Sequence, residues 1–270
     1  MILQLLNGKK LDIANYSLRR LFHYIPSISL SHSVEMVDGR DGGIFTDSQF
    51  TERVITVELL YESTDIQDFY LLRDEINALF THKESFFIIF KGEPYKRYLV
   101  KLNQGFVIEP NMYMNSFELE FTCVNIFGES TSTTQQLKKE WDVNQWAWND
   151  QISWDDDIAY SFTTNSFVVR NEGTAHIDPR QSELKITVQG DYPNGLTLTN
   201  NTTGEVYQYT KSLTSSDKLV LDGVRTLKNG ASAFRDTNKK LITLAQGGNS
   251  FSVTGGTLTK IDFDFRFLYL

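Results

Sequence analysis

Apolar and polar residues alternate with a period of two along most of this chain, and one stretch breaks the rhythm. In Arg53–Glu62 (RVITVELLYE), Ile55, Val57, Leu59 and Tyr61 share one face while Glu58 and Glu62 take the other, the pattern of a strand buried on one side. Ser63–Glu84 (STDIQDFYLLRDEINALFTHKE) instead spaces Ile66, Phe69, Leu72, Ile76, Leu79 and Phe80 by threes and fours, which predicts one apolar stripe on a helix. Thr64 followed by Gln67 reads as its capping box, and Asp65 and Asp68 sit near the positive end of the helix dipole. His82 and Lys83 fall in the predicted last turn, where cations are favoured. Phe86–Phe90 is a continuous apolar run, as expected of a strand covered on both faces, and Tyr98–Leu102 and Ser116–Cys123 alternate again. A lone helix must bury its stripe, and these strands are the nearest apolar surface. The first half therefore reads as one helix laid on antiparallel sheets, an α+β unit.

Upstream of Arg53 the pattern is weaker. Ile2–Leu6 predicts a short edge strand, Leu11–Ile13 its continuation around Asn7-Gly8, and Ser27–Ser31 a further strand. Glu35–Arg53 (EMVDGRDGGIFTDSQFTER) is rich in Gly, Asp and Ser. An excursion of that length is either a surface loop or a hairpin arm.

Gly128–Gln136 (GESTSTTQQ) is low in apolar residues, which places a domain boundary there and divides the chain into 1–136 and 137–270. Beyond it, Ser166–Arg170, Glu183–Gln189, Leu196–Asn200, Glu205–Thr210, Lys218–Asp222, Leu241–Ala245, Asn249–Val253 and Leu258–Tyr269 read as strands between Gly- and Asn-rich turns. In the last of them Ile261, Phe263, Phe265, Phe267 and Tyr269 point one way and Asp262, Asp264 and Arg266 the other. Short strands at this spacing, with no helical period, predict a β-sandwich. The fold class is mainly β.

Composition removes several functions. The net charge of −8 is shared, with 14 Lys+Arg against 19 Asp+Glu in residues 1–140 and 12 against 15 in residues 141–270. Neither half offers the basic face that sequence-specific nucleic-acid binding requires. No apolar run reaches the ~18 residues of a membrane-spanning helix, and MILQLLNGKK lacks a basic start and a cleavage site. A single cysteine, Cys123, excludes an intrachain disulfide, and its alternation with Phe117, Leu119 and Phe121 makes it a buried strand residue.

Catalytic and metal chemistry find no support. His23, His32, His82 and His176 are scattered without metal-site spacing, and no nucleophile elbow or phosphate-binding loop occurs. Asp155-Asp156-Asp157 lacks the spacing of a calcium loop. No catalytic, cofactor or metal residues are assigned, which leaves a binding or structural protein. Trp141–Asp157 (WDVNQWAWNDQISWDDD) carries all four tryptophans, Trp141, Trp146, Trp148 and Trp154, with five acidic residues and no basic one. Packing beneath the second domain accounts for such a cluster. The sharper alternative is a carbohydrate-binding module in which Trp146, Trp148 or Trp154 stacks on a sugar ring.

Taken in order, a further set of stretches resembles the distal tail protein family of long non-contractile-tailed bacteriophages of Gram-positive hosts. They are Val37–Gly42 (VDGRDG), Arg53–Val57, the single helix and Tyr95–Val100 in the first half. In the second they are Leu198–Asn200 with Thr202–Gly204, Asp217–Asp222 and Gly247–Phe251. The resemblance covers nearly the whole chain, with no extra module inserted in the sandwich. It implies antiparallel sheets or a split barrel with one helix, followed by a galectin- or carbohydrate-binding-module-like sandwich. It also implies a non-enzymatic hub of the virion tail tip, assembled in the host cytoplasm: a homohexameric ring of N-terminal domains with a channel that DNA crosses unbound. Tail tube protein, a tail-associated fibre or lysin-bearing protein and receptor-binding protein are its implied partners, with no membrane. The ring needs one heterologous interface that closes. The helix and the excursion are the candidates for it, the excursion, with Asp38, Gly39, Arg40, Asp41, Gly42 and Arg53, acting as an arm that pairs with the neighbour's sheet.

Overall fold

A computed structural model describes residues 1–39, 41–111, 113–137, 142–146 and 159–270. The chain divides into two compact units, Met1–Gly128 with Leu270, and Glu129–Tyr269.

The first unit is built on β1 (Ile2–Gln4), β2 (Lys10–Asp12), β3 (Leu18–Tyr24), β4 (Leu30–Met36), β5 (Gly43–Phe50), β6 (Arg53–Glu62), α1 (Ile66–Phe80), β7 (Phe86–Ile89), β8 (Lys96–Leu102) and β9 (Met114–Cys123). Seven of these strands form one antiparallel path in the order β2-β1-β7-β8-β9-β6-β3. The long ladder joins β6 and β9 from Arg53↔Cys123 to Glu62↔Met114. It puts Ile55, Val57, Leu59 and Tyr61 beside Phe117, Leu119, Phe121 and Cys123 in the core, as their alternation predicts. Helix α1 lays Phe69, Leu72, Ile76, Leu79 and Phe80 on this surface, with the Phe69 ring 5.5 Å from Tyr61 and Phe80 6.1 Å from Phe121.

The helix ends differ from expectation. Asp65, not Thr64, is the N-cap: its carboxylate accepts from the Asp68 N–H at 2.8 Å, and Asp68 accepts from the Thr64 N–H at 2.7 Å. A carboxylate caps as well as a hydroxyl, and here it moves the start one residue on. The helix stops at Phe80 with Thr81 as C-cap, so His82 and Lys83 lie beyond the last turn. β3, with Arg19 and Arg20 in place of alternation, was not predicted.

The division at Gly128/Glu129 lies at the start of the Ser/Thr-rich stretch Gly128–Gln136, within β10 (Gly128–Ser130). Side-chain bonds tie that stretch into the second unit: Thr134 Oγ1 donates to the Phe263 carbonyl at 2.9 Å, and Gln135 Nε2 donates to the same carbonyl at 2.8 Å. Composition that resembles a linker here supplies hydrogen bonds to a strand.

The second unit comprises β11 (Ser161–Phe162), β12 (Ser166–Asn171), β13 (Leu184–Asp191), β14 (Leu196–Asn200), β15 (Glu205–Tyr209), β16 (Leu219–Asp222), β17 (Arg225–Lys228), β18 (Ala231–Ser232), β19 (Gly247–Thr254), β20 (Thr257–Phe265) and β21 (Leu268–Tyr269). One sheet runs β11-β20-β13-β16-β17-β18 and the other β12-β19-β14-β15. Phe167 and Phe251 of the second sheet meet Phe263 of the first at 5.8 and 5.0 Å, so the sheets pack face to face as a sandwich. The mainly β fold with one α-helix among the described residues agrees with the sequence pattern.

Two strands differ from their expected form. Leu258–Tyr269 breaks after Phe265, and Leu241–Ala245 is not a strand. Its only bridge is Leu244↔Ile177, and side chains hold it instead. Glu205 accepts from the Thr243 N–H at 2.6 Å. Asn249, fully buried, accepts from the Ala245 N–H and donates to the Ala245 carbonyl, both at 2.8 Å. Asn200, also fully buried, donates to the Thr243 carbonyl at 2.9 Å.

Candidate assembly surfaces

The excursion 35–53 is an arm. Among the described residues β4 and β5 pair only with each other, from Leu30↔Phe50 to Met36↔Gly43, with a bulge after Ser33. Every residue of both strands is exposed. The bulge breaks the period-two pattern, which is why this hairpin is hard to read in the sequence. A two-stranded ribbon without a covered face is marginal on its own, and this one carries Leu30, Val34, Met36, Phe45 and Phe50 at half exposure or more. Local order comes from His32, whose ring meets Phe45 at 5.6 Å and whose Nδ1 lies 2.8 Å from Ser48 Oγ. At the tip, Gly39 and Gly42 have φ of +81° and +82°, left-handed conformations that glycine adopts without strain.

Of the residues expected in this arm, Asp38, Gly39, Asp41 and Gly42 lie at the hairpin tip, and Arg40 lies outside the described residues. Arg53 is elsewhere. It opens β6 opposite Cys123 and is 2% exposed, with Nε and Nη1 lacking a hydrogen-bond partner. Sequence reasoning missed the apolar side chains of the ribbon, which offer far more contact area than its tip.

The sheet adds a second surface. β3 ends the strand order and pairs only with β6, so its outer edge is open, and Phe22 and Tyr24 are exposed along it. Arg19, Arg20 and a register shift between Arg20 and Phe22 guard the edge, devices that block indiscriminate pairing. Behind it, Arg20 Nη1 donates to His23 Nδ1, and the His23 ring stacks on Phe90 at 4.0 Å. Burial first, then the Arg20 charge, hold the His23 pKa below its ordinary value. The outward face of α1 contributes Tyr70 and Leu71.

The described residues hold no group of three His, Cys, Asp or Glu able to bind a metal ion. Among the described residues no helix is long and apolar enough to cross a membrane. Trp146 is buried, at 8% exposure. Trp141, Trp148 and Trp154 lie outside the described residues.

Comparison with known proteins sets these surfaces in context. Residues 7–123 match the family model of the phage tail protein RIFT-related domain. The whole chain is similar in fold to the crystal structure of the SPP1 Dit (gp 19.1) protein, described as a paradigm of hub adsorption apparatus in Gram-positive infecting phages. That match has a TM-score of 0.69 and 16% sequence identity over 98% of each chain. A chain of the phage p2 baseplate in its activated conformation with Sr aligns at a TM-score of 0.46 and 10% identity, over 98% of this chain and 97% of that one. No curated protein matches. The resemblance expected from the sequence is borne out in the fold.

Proposed function

We propose that this chain, whose residues 7–123 match a phage tail protein RIFT-related domain, is a non-enzymatic hub of a phage tail tip. Six copies close a ring through their first units, and the second units serve as outward docking domains. The ring joins the tail tube protein to a tail-associated fibre or lysin-bearing protein and to receptor-binding protein, around a channel that DNA crosses unbound. It belongs to the virion and is assembled in the host cytoplasm.

One observation carries the reading: a ribbon of fifteen exposed residues with a row of apolar side chains, whose strands pair with no other strand among the described residues and whose ring contact outside the hairpin is Phe50 on Phe127. Such a ribbon is completed by another copy, and the open edge of β3 is the matching acceptor. Ribbon and edge are different surfaces, so the contact is heterologous and propagates until it closes. The acidic balance of residues 1–140, 14 Lys+Arg against 19 Asp+Glu, suits a channel for a polyanion.

Light scattering on the purified chain tests this. Six copies of 31.0 kDa come to about 186 kDa, the mass of a closed six-membered ring. That mass, with rings in negative-stain images, is the expected result. A monomer at all concentrations, with or without the tail tube protein, would remove the ring.

A further inference from the structure

Residues 223–242 of the second unit reverse the charge of the molecule. They hold Arg225, Lys228, Arg235, Lys239 and Lys240 against Asp236 alone, leaving 21 of the 26 Lys+Arg and 33 of the 34 Asp+Glu to the rest of the chain. Two of these cations are already paired, Arg225 with Asp222 at 2.7 Å and Lys228 with Asp217 at 3.1 Å. Arg235, Lys239 and Lys240 are exposed and have no ion-pair partner among the described residues.

Lys240 lines an apolar dent whose walls also include Pro179, Val224, Arg225, Phe234 and Leu241, and Arg235 and Lys239 are the chain neighbours of Phe234 and Lys240. Val224 and Phe234 are 52% and 39% exposed, large apolar groups left on the surface. Counted out to open solvent the dent measures about 330 Å³, but its enclosed space of about 10 Å³ admits roughly one water. That is too shallow to bury a small-molecule ligand and suits a side chain laid across it. The backbone beside it is strained: Lys239 has a φ of +60°. It is held there by its N–H donating to Thr237 Oγ1 at 3.1 Å and by the Lys240 N–H donating to Asn238 Oδ1 at 3.2 Å. Non-glycine residues kept in the left-handed region cluster at binding surfaces.

We propose that this dent docks an acidic peptide segment of a partner protein, which lays one apolar side chain against Phe234 and Val224. Its flanking carboxylates pair with Arg235, Lys239 and Lys240. An apolar centre with a charged rim is the usual anatomy of an interface. A basic patch on an acidic molecule steers acidic partners to that one place. The inference concerns the second unit alone, and its test neither uses nor assumes the ring.

The probe is a fluorescein-labelled nine-residue peptide with a central leucine and four glutamates on each side, followed by fluorescence polarisation with the full chain. Two control peptides replace the leucine by glycine or the glutamates by lysines. The expected result is saturable binding of the first peptide, about tenfold weaker binding of the glycine peptide and none of the lysine peptide. Arg235→Glu with Lys240→Glu, both exposed and therefore harmless to folding, should weaken the first peptide by tenfold or more. Phe234→Ser should bring its affinity down to that of the glycine peptide. No saturation up to about millimolar protein, equal binding of the leucine and glycine peptides, or indifference to the double charge reversal would each overturn the proposal. Equal displacement by single-stranded DNA would do so too, because it would make the patch a general polyanion site.

Discussion

Phe45 is the most informative single residue of the arm. It is 70% exposed at the ribbon's bulge, opposite Val34. A phenylalanine buries roughly 200 Å², so covering the exposed share removes about 140 Å² from water and contributes about 3.5 kcal/mol at ~25 cal/mol per Å². In the proposed ring Phe45→Asp would forfeit that contribution at every contact, equivalent to about 300-fold in each pairwise dissociation constant. The substitution touches nothing in the core of its own chain, so thermal unfolding should be unchanged within about 0.5 kcal/mol. Sedimentation velocity over a dilution series separates the two effects. The expected outcome is a variant folded like the parent that remains at 31.0 kDa where the parent sediments as a ring. A variant that assembles at the parent's concentration refutes the argument, because it would mean that the ribbon's apolar side is not in the interface.

Two further outcomes follow from the interior. Asn249→Ala removes the two bonds to Ala245 and one from Asn200 inside a site with no exposure. About 3 kcal/mol of stability should be lost in urea titration, and a loss below about 1 kcal/mol would mean that this network is incidental. The folded-state pKa of His23 is lowered, so the unfolded chain takes up the proton more readily. Its contribution is therefore complete above about pH 6.5 and is lost as pH falls through the lowered folded value. The urea midpoint should fall less for His23→Gln than for the parent between about pH 7.5 and pH 5. Equal losses would contradict the assignment.

Much of this molecule is legible because burial on one face writes itself into the sequence. The stripe of α1, the Ile55–Tyr61 face and the Ile261–Phe265 face are all cases where one side of an element meets a core. What escaped was held by something other than periodic burial. β17 and β18 form a hairpin at the edge of a sheet, with lysine and arginine where alternation would be sought. Leu241–Ala245 has the composition of a strand, yet buried Asn200 and Asn249 bind it with their side chains. Asparagine in a sequence signals turns, not a replacement for a strand partner. The arm was legible as an excursion, but a bulge and full exposure hid its pairing. Arg53 shows the opposite error, since a charged residue beside a loop suggests surface while its place in the β6 ladder puts it inside.

In the proposed ring the ribbon would also govern how copies meet before any contact forms. Residues 30–50 carry Glu35, Asp38, Asp41 and Asp47 against Arg40, on a chain of net charge −8. Two free copies therefore repel at a distance while their apolar side chains attract only at contact. The repulsion reaches about a Debye length, roughly 10 Å at 0.1 M salt, and shrinks as salt is added. Assembly of the proposed ring should therefore be slow in low salt and quicken as salt is added. On that reading the ribbon's carboxylates set the pace at which it finds a neighbour.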